Sequence, residues 1–541
     1  MATQLRSLLW KEWHERRMQF LACMIWMVCG TLYCIAHEWS HASQTYVLSF
    51  RDTAFLFGLF MPLFLAMRTS LGETTDGTRS FSEALPISSR RRGWIRLASG
   101  AGALIVPILT GAVLLSLCLA FRWIHEAPPS RTTGPGLGQG SLSVLSAVGL
   151  VWCYTAIALW AATSLYVLLS LIGTMLRKEA HAGFVGTVVV FLWFLGMCFG
   201  VELKEMAKLP ASPAIVGAIV PLAMIFNFSY GDACGTYGDL LILGARLWPL
   251  LVNSILQFAL ATWFVSRYSH RLSPGRAEES HKKTQTIWRP WSLPLPTRSI
   301  ALTWLTLRQS VPMCIPGLLL ACLMTFFQMK HPGPVQHGEF LRQYTDAMSS
   351  STWVIGLMWA VVVGAGVFSA EIDPRVGEFW RTWPVPFWHL FTIKFLIGLL
   401  AVLIVLDGTT IAASWNSPNW GDYRCMNWPY IACIVPWHAT MFAVAVAWAC
   451  LLRRPVLGGM AALGSFAMMT LGLEWWETTR PFDPLEVYNN LALTATFPPG
   501  PVDFTAHGYP VVATAMGLIL LASGIIAGLA LQRYAPRLQP G

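Results

Sequence analysis

Charge is scarce in this chain. Asp, Glu, Lys and Arg make up 12% of its 541 residues, about half of what a soluble domain carries. That scarcity excludes an ordinary soluble globular fold of this length. No G-x-x-x-x-G-K-[ST] segment occurs, so the chain has no phosphate loop of that kind with which to hold a nucleotide. The 12 Cys are scattered, without a C-x-x-C pair or a metal-ligand spacing, which excludes a disulfide framework and a zinc ribbon. The first apolar run has no small-residue cleavage site behind it, and we expect it to be a retained helix rather than a leader.

Apolar runs are abundant instead. Hydrophobic residues make up 55%, and runs of spanning length recur from end to end. A helix crosses roughly 30 Å of hydrocarbon with about 20 apolar residues. Twelve runs are predicted to do so: 20–36, 54–70, 98–121, 147–175, 183–201 and 247–266, then 311–329, 352–370, 390–412, 430–452, 456–473 and 510–531. If every one spans and the N-terminus is cytoplasmic, 27 of the 37 Lys and Arg fall in cytoplasmic segments. This is the positive-inside bias, and it predicts both termini in the cytoplasm. It also accounts for the net charge of +10 with no nucleic-acid partner. The 26 Trp suit interfacial belts.

One cytoplasmic stretch occurs twice. Adding 298 to Glu73, Phe81, Pro86, Arg96 and Gly100 gives Glu371, Phe379, Pro384, Lys394 and Gly398. Each pair is identical or keeps its charge, and each stretch lies between two apolar runs. A loop carried twice in one register points to two copies of one membrane domain. The expected fold is therefore all-α and integral to a membrane. About twelve transmembrane helices form two tandem six-helix halves, 1–266 and 300–541, with pseudo-twofold symmetry. The Pro-rich basic segment 267–299 is read as a cytoplasmic linker.

Each half opens on a short amphipathic stretch. Leu5, Leu8, Leu9 and Trp13 fall at helical spacing, with Lys11, Glu12, Glu15, Arg16 and Arg17 mostly on other faces, which predicts an interfacial helix. Within the repeated loop, Val376, Phe379, Trp380 and Trp383 follow a helical period, and Pro384 and Pro86 mark helix stops. After the fifth run of each half comes a long outer segment, 202–246 and 474–509. Gly196 and Gly200, and Gly524 and Gly528, have the spacing that lets helices approach closely.

The first loop, with Glu73, Gly77-Thr78, Phe81, Leu85-Pro86-Ile87-Ser88, Arg90-Arg91 and Arg96, resembles that of type-2 ABC exporter permeases. Leu8-Leu9-Trp10-Lys11-Glu12 resembles the same family's N-terminal helix, which adds Lys11 and Glu12 to the expected site. The second copy keeps Glu371, Gly377, Phe379, Pro384 and Lys394 but lacks the Gly-Thr and the Ser after Pro, and its Gly377 is displaced by two positions. The resemblance implies a permease subunit in a bacterial plasma membrane with no cofactor of its own. ATP and Mg would be held by a separate ABC ATPase subunit, in two copies. It also implies that each loop helix rests on the ATPase and that Glu73 and Glu371 pass on its motion.

A different chemistry is written elsewhere. His37-Glu38-Trp39-Ser40-His41 matches H-E-x-x-H, in which two histidines one turn apart bind zinc and the Glu serves as base. Leu406-Asp407-Gly408 resembles the distant ligand motif of intramembrane site-2 proteases. On that alternative His37, His41 and Asp407 would hold the metal and Glu38 would activate water. A third possibility is a membrane scaffold without transport. Asp407 is in any case costly, since a carboxylate in a spanning helix costs about 2.5–3.5 kcal/mol on insertion scales. A place near the outer headgroups, where that cost falls, is expected.

Overall fold

The computed structural model describes residues 2–37, 43–75, 87–125, 144–176, 181–194, 248–271, 298–329, 337–372, 386–415, 430–475, 487 and 509–533. Among these residues there are helices and turns and no strand. Hydrocarbon offers no partner to backbone N–H and C=O groups, so a helix, which satisfies its own, is what apolar runs of this length must form.

The chain divides into two compact units, Met1–Ile287 and Trp288–Gly541. Unit 1 holds α1 (Ala2–His37), α2 (Ser43–Thr75), α3 (Ser89–His125), α4 (Val144–Met175), α5 (His181–Phe194) and α6 (Trp248–Arg271). Unit 2 holds α7 (Arg298–Gln328), α8 (His337–Val367), the single turn α9 (Ser369–Ile372), α10 (Phe387–Val402), α11 (Gly408–Trp415), α12 (Val435–Leu452), α13 (Pro455–Trp475) and α14 (Tyr509–Arg533). A π-helical turn, Leu403–Asp407, joins α10 to α11, and another, Tyr430–Ile434, leads into α12.

Among the described residues nine helices are long and apolar enough to cross a membrane, and the protein is an integral membrane protein. They correspond to nine of the twelve runs predicted. The other three are helical too where they are described. Of the fifth run only 181–194 lie among the described residues, and these are helical. The apolar part of α13 is Pro455–Thr470. α6 is long enough, but Asn253 and Gln257 interrupt its apolar sequence. Those polar residues face a neighbour, not water. Asn253 Oδ1 accepts from Trp160 Nε1 (2.9 Å) and Ser164 Oγ (2.7 Å) on α4 and from Gln257 Nε2 (2.7 Å). The opposite face of α6 presents Leu251, Ile255 and Phe258, all exposed, as expected of a surface solvated by lipid.

The packing plan is the same in both units when helices are counted from each unit's first. In unit 1, α1 packs on α2 and α3, α2 on α3 and α4, α4 on α3 and α6, and α3 on α6. α5 meets α2 and α4 through Gly186, which lies against Leu63 and Leu169. In unit 2, α7 packs on α8 and α10, α8 on α10 and α12, α12 on α10 and α14, and α10 on α14. α13, the fifth, packs on α8 and α12. The starts also keep register: α3 begins at Ser89 and α10 at Phe387, again 298 apart. Of the two close-approach pairs, Gly524 and Gly528 meet α10. A Cβ on Gly528 would lie 2.3 Å from the Trp388 ring. Gly196 and Gly200 lie outside the described residues.

The expected interfacial helix is not separate from the first span. α1 runs unbroken for 36 residues, roughly 54 Å. Lys11 and Glu12 are buried in unit 1 instead of lying on an outward polar face. For Glu12 the reason is a partner that the local periodicity could not show, the cation Arg96 on α3, while Lys11 pairs with Glu15 on its own helix.

The turn from α12 to α13 is tight. Arg453 takes φ 54° at the end of α12, a conformation uncommon for a non-glycine residue, and Pro455 starts α13. Gly458 lets the two helices touch, for a Cβ there would fall 2.5 Å from the backbone nitrogen of Ala449. Backbone cannot move aside as a side chain can. We expect Gly458→Val to cost about 1–3 kcal/mol or more and Gly464→Val, with open space around it, to be near neutral. Thermal unfolding of both variants in detergent checks this.

Candidate functional site

The repeated cation occupies one position in both units. Arg96 is the eighth residue of α3, and Lys394 is the eighth of α10. Both side chains are 0% exposed. A fully enclosed charge needs partners, and each unit supplies them differently.

In unit 1 the partners come from α1 and α2. Arg96 donates through Nε to the Thr69 carbonyl (3.2 Å) and through Nη2 to the Arg68 carbonyl (3.1 Å). Its Nη1 lies 3.3 Å from Glu12 Oε1 and 3.9 Å from Glu15 Oε2. Glu12 also holds Arg16, one turn on, at 3.2 Å. Arg16 donates to Thr69 Oγ1 (3.0 Å), Thr69 bonds Tyr166 Oη on α4 (2.8 Å), and Tyr166 donates to the Leu97 carbonyl (3.2 Å). Lys11 pairs with Glu15 at 3.5 Å. The cluster thus ties the first four helices of unit 1 together. Gly100 makes room for it, since a Cβ there would lie 2.0 Å from Tyr166 Oη and 2.4 Å from Arg16 Nη1. A guanidinium suits this role, because its planar fork serves several acceptors at once.

In unit 2 the partner comes from the end of the second helix. Lys394 Nζ donates to Glu371 Oε1 at 2.5 Å. Glu371 sits on α9, whose turn starts with backbone bonds from Glu371 and Ile372 to the Phe368 carbonyl. Lys394 Nζ also lies 5.9 Å from the centre of the Phe368 ring, within reach of a cation–π attraction. Phe368 stacks on Phe391, and Phe391 on Phe395. Gly398 permits the approach of Phe442 on α12, as Gly100 does for Tyr166 on α4.

Of the residues singled out in sequence, the structure therefore brings Glu371 to Lys394, and Glu12 to Arg96. Gly77, Phe81, Pro86, Gly377, Phe379 and Pro384 lie outside the described residues, and Glu73 is placed only as part of the last turns of α2. Arg16, Thr69 and Tyr166 were not foreseen. The signal for Arg16 was its place one turn after Glu12.

His37 is the last residue of α1, and Glu38 and His41 lie outside the described residues. Among the described residues no group of three or more His, Cys, Asp or Glu is placed to hold a metal ion. Asp407 is 1% exposed and bonded to His438 Nδ1 at 2.8 Å. His438, in the middle of an apolar run, was missed in sequence.

No family model matches the chain, and no curated protein or solved structure resembles it significantly.

Removing one member of an enclosed ion pair leaves the other without compensation, typically at about 3–5 kcal/mol. We expect that loss for Lys394→Met. The double variant Lys394→Met with Glu371→Gln should recover more than half of it, since the stranded carboxylate is gone. Denaturation of wild type, both single variants and the double variant measures the coupling. Additive losses would mean that the bond at 2.5 Å contributes nothing.

Proposed function

We propose that the chain is the transmembrane permease subunit of an ATP-driven ABC exporter, with two tandem six-helix halves fused in one polypeptide. The observation that carries this reading is the loop repeated at an interval of 298 residues, with an enclosed cation at the same helical position after each copy. The identical packing plan of the two units supports it further. About twelve spans, a pseudo-twofold axis along the membrane normal, cytoplasmic termini and a bacterial plasma membrane all belong to the proposal.

On this reading ATP and Mg are bound by a partner ATPase, one copy beneath each loop. Closure of the two ATPases pulls on the loops that begin at Glu73 and Glu371. The enclosed cations make each third helix follow the end of the second: Arg96 holds the backbone of Arg68 and Thr69, and Lys394 holds Glu371. Motion at the loops thereby becomes motion of a bundle, and the two halves rock against each other to release cargo.

Affinity purification of the chain from its native membrane in mild detergent tests the proposal. The expected result is an ATPase with a phosphate-binding loop, at about two copies per chain. The chain alone, or the chain with about one zinc, would overturn it. Glu73→Ala and Glu371→Ala should each lower stimulation of the partner's ATP hydrolysis by about 5–150-fold, the range of ordinary coupling energies. Unchanged stimulation in both would remove these residues from the coupling path.

A further inference from the structure

One charged pair in unit 2 has no part in the loop machinery. Asp407 and His438, 31 residues apart, meet between the third and fourth helices of the unit, 1% and 0% exposed. The imidazole is bonded on both sides. Nδ1 lies 2.8 Å from Asp407 Oδ1, and Nε2 lies 3.2 Å from the carbonyl of Trp353 on α8. A carbonyl only accepts, so Nε2 carries a proton. The contact at Nδ1 needs a second proton between nitrogen and oxygen. Ionisable residues among membrane helices are rare and mark functional positions.

Both helices are bulged where the pair forms. Asp407 is the last residue of the π turn Leu403–Asp407, in which the Gly408 N–H reaches back five residues to the Leu403 carbonyl. The other π turn, Tyr430–Ile434, ends one turn before His438. A π turn inserts one extra residue into a helix, and such turns concentrate at functional sites. One residue is about 100° of helical rotation. Regular α geometry through Leu403–Asp407 would therefore swing Asp407 and all that follows it by about that angle. Thr410 would leave with it, and Thr410 is the buried partner of Thr352 on α8 at 2.7 Å. Bulge, ion pair and hydroxyl contact thus require one another.

Among its described residues unit 1 has no such device. Its third and fourth helices, α3 and α4, are continuous, and Leu109 stands 298 residues before Asp407. The side chains around the pair in unit 2 are also arranged for close fit. Gly356 on α8 faces the imidazole, and a Cβ there would lie 2.5 Å from His438 Cε1. Tyr509 on α14 donates to the carbonyl of Ala432 within the second π turn.

We propose that α10–α11 and α12 form a two-state switch in unit 2. In the state described here both helices are bulged, and Asp407–His438 and Thr352–Thr410 latch them to α8. In the other state the π turn of α10 is annealed, the pair is parted, and Asp407 and Thr410 are rotated out of the α8–α12 interface. The use of this switch in a transport cycle rests on the permease reading, but its existence does not.

Hydrogen exchange read by mass spectrometry, on the full chain in lipid nanodiscs, tests the switch without any substrate or partner. Three variants are compared with wild type: Asp407→Asn, His438→Gln and Thr352→Val. The last replaces one hydroxyl by a methyl without touching either member of the ion pair, at the residue beside Trp353 whose partner Thr410 lies three residues after Asp407, and serves if the others do not fold. Each is expected to speed exchange at least tenfold in both segments, 403–411 and 430–438, while α13, α14 and unit 1 stay unchanged. Exchange that rises only on the substituted helix, rises throughout unit 2, or does not rise would overturn the switch and leave a static structural pair.

Discussion

A full charge carried on a helix among lipids must find its partner inside the protein, and both units are arranged around that requirement. Arg96 and Lys394 sit about two turns inside their helices with no exposed surface. Solvating them internally forces the second helix close to the third in each unit. In unit 1 the solvation consists of two carbonyls of α2 and a carboxylate of α1, a set that only a forked cation serves well. In unit 2 it consists of one carboxylate and an aromatic face, which suits the point charge of lysine.

The two solutions explain the shape of the helices around them. α1 continues as one rod through Lys11, Glu12 and Arg16, and Arg96 and Thr69 hold Glu12 and Arg16 inside. α7 has Ser310 and Cys314 at the places 298 residues after Glu12 and Arg16, so no such cluster forms in unit 2. There the charge has moved to Glu371 at the end of the second helix. A further buried polar pair of unit 2 lies beyond Lys394, in the π turn that follows α10, at Asp407, where unit 1 has Leu109. Two bundles with one packing plan have thus placed their buried charges at different levels.

Much of this was legible in the chain. Spanning helices follow from length and apolarity, which is why nine predicted runs reappear among the described residues as long apolar helices. The register of the repeat survives as the common start of α3 and α10. The rest depended on contacts between distant residues. Local periodicity made Leu8 and Trp13 one face of a helix, of which Leu8 is buried and Trp13 exposed, but it could not show that Glu12 meets Arg96, 84 residues away in sequence. The partner of Asp407, His438, lies 31 residues away and could not be paired with it from local pattern. The π turns have no signature in residue type. Leu403–Asp407 is apolar up to its aspartate and reads as ordinary helix.

The central claim is that one membrane domain occurs twice in one orientation. It is tested most directly by the side of the membrane on which the two loops lie. Ser82→Cys and Thr382→Cys chains, in sealed right-side-out and inside-out vesicles, can be treated with a membrane-impermeant thiol reagent and read at each residue by mass spectrometry. The account predicts that both cysteines react only in inside-out vesicles. Reaction of the two from opposite sides would contradict a tandem duplication with six spans in each half.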